Sequence, residues 1–384
     1  MESLFIIIAA LTLIYLIYTL IEFLIGHNQI KNLSRQDLLT LDSLPKISII
    51  LSALNEESDI EDALTSLANL SYPNLEIIAV NDRSTDNTPH ILEKLQKKFP
   101  VLRVHHIQTL PPNWFGKNHA LNVAAKLATG DWLLFTDADV FMKKDTLSKA
   151  ISYVITNQLD HLTIHEHHRR ESFWLKTGLL GSYLSYSMVM KPWRIRHAWS
   201  KRSLGHGAFN LIRKSAYESV GGHQAIAMQC LDDLCLGAIL KKNGFRQDTV
   251  DGRDFIEREW YHSLPAMIAG MQKNSFAFYK YQPLPMLRDC SFAVIFFMWP
   301  LLAVVFCSGA LCYLNMLNLL LTFLCSGYIA KQFRLEKYYA FLYPLSMGIL
   351  MYIMLNSVIA TYRQRGVIWR GTHYSLDMLK RRSI

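Results

Sequence analysis

Cysteine chemistry is the first thing this 384-residue chain lacks: its six cysteines, Cys230, Cys235, Cys290, Cys307, Cys312 and Cys325, form no CxxC pair. That excludes a disulfide framework and a cysteine zinc site, and leaves them as reduced packing residues, four of them in or beside apolar C-terminal segments. An HExxH pattern is also missing, so His161, His165, His167 and His168, beside Arg169 and Arg170, are expected to be solvated rather than to hold zinc. The net charge of +9 comes without a long basic run interleaved with aromatics. This argues against nucleic acid and for a basic protein facing anionic lipid. Neither a basic stretch before the apolar run 4–25 nor a small-x-small site after it is present, so a transmembrane helix is expected there, not a signal peptide. Between Asp289 and Lys331 charge is absent altogether. About forty residues at 1.5 Å each make roughly 60 Å of helix, enough for two crossings of a core of about 30 Å.

What is present divides the chain into four parts: an anchor at 1–28, an α/β domain at 45–288, transmembrane segments at 289–362 and a basic tail at 363–384. Lys31 and Arg35 come after the first helix while only Met1 and Glu2 precede it. The positive-inside bias therefore puts the chain after this helix in the cytoplasm. A third apolar run at 338–362 creates a conflict, because three crossings after a cytoplasmic domain would carry Arg363, Arg365, Arg370, Lys380, Arg381 and Arg382 outside. A cytoplasmic tail is the preferred reading, with one apolar segment re-entrant or interfacial. The stretch 173–199 mixes Trp174, Trp193 and Trp199 with Lys191, Arg194 and Arg196. It suits an interfacial segment and a buried core helix equally.

Inside the α/β domain, strands are expected at 46–52, 75–81, 101–107 and 132–136, and helices at 60–69, 89–99 and 118–128. This alternation predicts a doubly wound, mostly parallel sheet with ligands beyond the carboxyl ends of its strands. Asp82 and Asp137 fall there. Asp137 and Asp139, spaced i, i+2 after a buried strand, can share one hard cation, Mn²⁺ or Mg²⁺. Asp82 can bond a base or ribose, while Asp86 is expected to cap the next helix. Lys117, delivered to a helix start by a Trp114–Gly116 turn, makes a plausible phosphate contact. Asp232 and Asp233 precede an apolar helix, where they could cap it or supply a general base. Arg258 and Trp260 could bind phosphate and stack on a substrate.

In this order, the segments 48–57 (with Asn55 and Glu56), 81–88, 136–139 and the pair Asp232, Asp233 resemble the family 2 glycosyltransferases, of GT-A fold. The resemblance covers about 46–274. Segments 114–121, 205–222 and 369–374 are similar to a membrane-bound subgroup that glycosylates hopanoids, carotenoids or ceramide-like lipids. The resemblance implies that Asn55, Glu56 and Asp82 bind the nucleotide and that Asp137 and Asp139 hold the diphosphate through metal with help from Lys117. It also implies that Asp233 is the base of a single inverting displacement. The expected partners are a nucleotide-diphosphate sugar, UDP-linked by expectation, a membrane lipid acceptor and the bilayer, with no nucleic acid. Two departures stand out. The acidic pair is Asp-Asp where the family usually shows Glu-Asp, and Glu259 separates Arg258 from Trp260, which breaks the arginine–tryptophan motif of processive polymerases. A processive polysaccharide synthase and a non-enzymatic membrane scaffold are the rival readings.

Overall fold

Runs of β-branched and apolar residues become strands buried on both faces, and this decides the architecture of the α/β part. In the computed structural model, which describes residues 2–39, 44–169 and 172–381, eight strands form one sheet. Their spatial order is Lys31–Asn32, Gln247–Asp251, His161–His165, Asn210–Arg213, Trp132–Phe135, Ile47–Ala53, Leu75–Asp82 and Leu102–Ile107. Neighbours are parallel except at Asn210–Arg213, which is antiparallel to both strands beside it. The expected doubly wound, mostly parallel sheet is present, with each expected helix and strand within a few residues of its place.

Successive side chains of a strand point to opposite faces, and here the two faces feed two cores. Ile49, Leu51, Ile77, Ala79 and Leu134 pack on one side with Leu64 and Leu92. Ile50, Ile78, Val80, Leu133 and Phe135 pack on the other with Leu121 and Leu236. One buried polar knot ties the lower end. Glu76 Oε1 accepts from Ser48 Oγ at 2.6 Å and from Thr129 N at 2.7 Å, and Ser48 Oγ accepts from Gly130 N. A β-carbon on Gly130 would stand 2.6 Å from Ser48 N, so the turn into the strand Trp132–Phe135 requires glycine.

The chain forms two compact units. The sheet belongs to Ile30–Arg170 with Pro192–Trp260, and a helical unit comprises Met1–Gln29, Glu171–Lys191 and Tyr261–Arg381. Arg170 and Arg382, named above for their charge, lie outside the described residues. The helical unit has four segments long and apolar enough to cross a membrane: Ser3–His27, Pro283–Phe306, Gly309–Gln332 and Lys337–Arg363. It also contains the helices Phe173–Met190 and Leu264–Phe278. All six cysteines are free thiols.

The histidine group departs from expectation. His161 and His165 lie on a strand inside the main sheet, not on a solvated surface. His161 is fully buried and bonds Asn210 Oδ1. Burial pushes His161 down to about 4 and His165 to about 3, so both rings are neutral near pH 7. The intervening Leu162, Thr163 and Ile164 supply the β propensity that draws them in.

Candidate active site

Strand ends and helix starts bring the acidic residues to one edge of the sheet. The strand Trp132–Phe135 runs out at Thr136, whose hydroxyl donates to Ala208 O at 2.8 Å, and the chain then turns through Asp137, Ala138 and Asp139 into Val140–Met142. That short strand pairs antiparallel with Ile256–Arg258, setting Arg258 opposite Val140. The guanidinium then spans both carboxylates, with Nη1 3.1 Å from Asp137 Oδ2 and Nη2 3.3 Å from Asp139 Oδ2. From the other side, Lys117 Nζ reaches Asp137 Oδ1 at 2.9 Å and Asp232 Oδ2 at 3.2 Å. The result is an alternating chain of charge, Asp232, Lys117, Asp137, Arg258, Asp139, drawn from four separate stretches of sequence. A small cleft beside it is lined by Lys117, Asp137, Gly207, Asp232 and Asp233.

Charge in this cluster is tuned by proximity. Burial alone would lower the Lys117 ammonium, but Asp137, Asp232 and Asp233 overcome it and hold the proton well above the ordinary lysine range. Burial raises Asp139, Arg258 opposes the rise and Asp137 adds to it. Asp233 is pushed up to about 6 by burial and then by the Asp232 carboxylate, against the pull of Lys117 and His206. Its Oδ1 accepts from Leu234 N at 2.8 Å. Although both aspartates fall in the first turn of the helix Asp232–Lys242, neither makes an N-cap bond, because the cap position is Leu231.

The nucleotide-side candidates occupy adjoining loops. Lys117 opens the helix Gly116–Leu127, as its turn predicts. Asp82 is fully buried at the end of its strand, where Arg83 Nε and Nη2 donate to its two oxygens at 2.8 and 3.0 Å. A β-carbon on Gly116 would stand 2.5 Å from Asp82 Oδ2, so glycine there lets the lysine loop close over the carboxylate. Asn55 and Arg83 both adopt left-handed backbone, at φ 57° and 62°. Such strain at strand ends is common in ligand clamps. Asn55 Oδ1 accepts from Thr85 N, Glu56 N donates to Thr88 Oγ1, and Asp86 Oδ1 accepts from Thr88 N at the start of the next helix. Asn55 and Glu56 thus stitch two loops together, and Asp86, one residue before the cap position Asn87, bonds the first N–H of the helix rather than capping it from the cap position itself. Trp260 packs its ring 5.3 Å from His168.

Reasoning on sequence passed over Glu166 and His206. Glu166 is buried, with Oε2 3.0 Å from His206 Nδ1 and Oε1 3.4 Å from His168 Nε2. Burial would raise it, yet His206, His168 and Arg258 hold it far below the ordinary carboxylate range. The legible signal was the pair of glycines around His206. A β-carbon on Gly205 would fall 1.7 Å from Asp233 O, and one on Gly207 2.6 Å from Asp137 Oδ2. Gly207→Ala is therefore expected to displace the Asp137 carboxylate, lowering donor turnover at least about tenfold with little change in Tm. Gly205→Ala meets backbone rather than a side-chain tip and is expected to destabilise the fold by roughly 1–3 kcal/mol. Thermal melts of the two variants beside their turnover rates check both expectations.

The residues present fit a divalent cation. Asp137 and Asp139 offer hard oxygen donors, and Asp139 Oδ1 is buried with no hydrogen-bond partner among the described residues. Among those residues no group of three or more His, Cys, Asp or Glu could hold an ion. The chain would thus contribute two carboxylates to such an ion.

Residues 48–221 match the family model described as glycosyl transferase family 2. A beta-monoglucosyldiacylglycerol synthase from Nostoc sp. is 30% identical over 184 residues, 47% of this chain and 38% of that protein. A probable glycosyltransferase of Bacillus subtilis is 30% identical over 188 residues, 47% of this chain and 44% of that protein. The chain thus spans less than half the length of these relatives. Among solved structures, the mannosyltransferase PcManGT of Pyrobaculum calidifontis, in complex with GDP-Man and Mn²⁺, superposes with a TM-score of 0.56 at 18% identity. That superposition covers 92% of this chain and 99% of the other, a likeness of GT-A fold.

Proposed function

We propose, from the match of residues 48–221 to the model of glycosyl transferase family 2, that the chain is a membrane-bound, inverting transferase. It moves one sugar from a nucleotide-diphosphate donor to a lipid acceptor at the cytoplasmic face. One observation carries the reading: the chain of charge from Asp232 through Lys117, Asp137 and Arg258 to Asp139, beyond the carboxyl ends of a mostly parallel sheet. The apolar helices and the relative named a beta-monoglucosyldiacylglycerol synthase support the lipid acceptor.

In this reading Asn55, Glu56 and Asp82 receive the nucleoside, with the glycine at 116 admitting the lysine loop. Asp137 and Asp139 would hold the cation, and the chemistry a divalent ion supplies when bound there is counter-charge for the leaving diphosphate. Lys117 adds a positive charge at a helix start, pointing at the same place. Arg258 spans the two carboxylates that would share the cation, so donor binding is expected to shift it towards the phosphates, while Trp260 flanks the acceptor. Asp233 accepts the proton of the acceptor hydroxyl. The freed oxygen pair bonds to the anomeric carbon, and the carbon–oxygen bond to the diphosphate breaks with its electrons. Asp232 keeps Asp233 basic by repulsion.

The test is incubation with a panel of nucleotide sugars, a native lipid extract and Mn²⁺ or Mg²⁺, read by mass spectrometry. A lipid heavier by one sugar residue is expected. A polymer would favour a processive synthase, against which Glu259 between Arg258 and Trp260 already weighs. No turnover of any donor would leave the scaffold reading.

A further inference from the structure

The segment Lys337–Arg363 is long and apolar enough to span, at a mean hydropathy of 1.6; Tyr343 packs on Phe323, part-way along helix Gly309–Gln332, but the neighbours of the chain before the segment and of the chain after it place both on one side. The N-terminal helix ends at His27, and four residues later the chain is in strand Lys31–Asn32 of the main sheet. The His27 end of that helix therefore marks the side of the α/β unit. Helix Gly309–Gln332 runs parallel to it: Asn318 Nδ2 donates to Ala9 O at 3.0 Å, and Tyr328 lies against Phe23 and His27 at ring distances of 6.4 and 5.5 Å. Segment Pro283–Phe306 runs the opposite way, with Trp299 on Phe5 at 5.6 Å and Phe292 and Phe296 on Tyr15 at 5.1 and 5.0 Å. Pro283 and Gln332 are thus both at the His27 level.

Helix Leu264–Phe278 comes after Trp260, the last residue of the α/β unit in this stretch, and ends just before Pro283, so it too starts and finishes on that side. At 15 residues it is about 22 Å long, short of the roughly 20 residues a crossing needs. Helix Tyr343–Arg363 lies parallel along it. Gly178 sits where a β-carbon would touch Leu264, Met267 and Ile349 together, within 2.8 to 3.5 Å. Further on, Ser357 Oγ accepts from Phe276 N at 3.0 Å and donates to Gln272 O, and Phe276 meets Tyr362 at 5.9 Å. Beyond the helix, Trp369 lies under Lys273 Nζ at 4.3 Å. Residues 357–369 are therefore level with 272–276. Helix Phe173–Met190 reinforces the point: the α/β unit supplies the chain on both sides of it, and its Gly181 packs on Ser346 O.

We propose that the chain crosses the bilayer three times, and that helix Tyr343–Arg363 lies along the interface, keeping the basic tail on the side of the α/β unit. One face of this helix, with Ser346, Ser357 and Thr361, is buried against protein, while Leu345, Tyr352, Leu355, Ile359 and Tyr362 form an exposed stripe. That stripe fits the acyl boundary of a lipid leaflet, and Arg363, Arg365, Arg370, Lys380 and Arg381 fit its anionic headgroups. An interfacial third segment also removes the charge conflict that three crossings after the domain would create.

Proteinase protection of the full chain in sealed vesicles tests this, with one epitope before Met1 and another after Ile384. Where protease degrades the α/β unit, the C-terminal epitope should be lost completely and the N-terminal epitope should survive on a small fragment until detergent is added. Survival of the C-terminal epitope on a protected fragment would mean that the helix crosses, overturning the proposal. Loss of both epitopes would overturn it too, because the first helix would then not cross. Neither readout depends on catalysis, so it stands or falls apart from the transferase reading.

Discussion

Asp233→Asn is expected to abolish sugar transfer while making the protein more stable at neutral pH. General-base catalysis contributes about 10²–10⁴-fold, and the amide keeps the shape of the side chain without its basicity. The loss should appear in kcat, with the KM for the donor little changed, because Asp233 is assigned to the acceptor proton and not to the nucleotide. The wild-type rate should fall as pH drops through about 6, where the carboxylate takes up its proton. Stability has the opposite sign. In the unfolded chain this aspartate titrates near its ordinary value of 3.8, and in the folded protein near 6. The folded state therefore binds the proton more tightly, and stability declines as pH rises from about 4 to about 6 and stays lowered above that. The amide variant, which carries no charge to desolvate at this position, should recover on the order of 1–3 kcal/mol at pH 7 to 8, and the gain should vanish below pH 4. Denaturant melts of both proteins at pH 4 and pH 7.5, beside rates from pH 5 to 9, measure this. An inactive variant no more stable than wild type at pH 7.5 would contradict the burial and repulsion assigned to this carboxylate.

Asp139→Asn should lower donor turnover by about 10²–10³-fold, as when one preorganised charge is removed from a site where charge develops. Chelation of wild type with EDTA should produce a comparable loss, reversed by Mn²⁺ or Mg²⁺. A second readout separates cation binding from catalysis: a nucleoside diphosphate with Mn²⁺ should raise the Tm of wild type and leave that of Asp139→Asn nearly unchanged. The substitution also leaves Arg258 with one carboxylate of this pair instead of two. Because that guanidinium then keeps only Asp137 of the two, residual activity should depend on Arg258 more than in wild type. Comparing Arg258→Lys in both backgrounds measures the coupling. Unchanged turnover in Asp139→Asn would detach the acidic pair from the chemistry.

Several of these features are legible in the amino-acid sequence. The strand Ile47–Ala53 showed as a β-rich apolar run, broken only by Ser48 and Ser52, because both its faces are covered, and Asp82 and Asp137 could be placed at strand ends from local pattern alone. Lys117 at a helix start could be read from its turn. The histidines misled for a definable reason: composition beside Arg169 suggested solvent, and only strand pairing with 210–213 and 247–251 shows His161 to be enclosed. Glu166 and His206 escaped notice because nothing within either local stretch announces the other, forty residues away.

Sequence alone settled what is periodic or local: the alternation of strand and helix, the apolar lengths, and the carboxylates waiting after buried strands. Tertiary structure alone decided which charges meet, since Arg258 reaches Asp137 and Asp139 only through the pairing of two short strands. It likewise decided that Tyr343–Arg363 returns beside Leu264–Phe278. Hydropathy measures the transfer of one segment into lipid, whereas level and direction come from the neighbours that segment packs against.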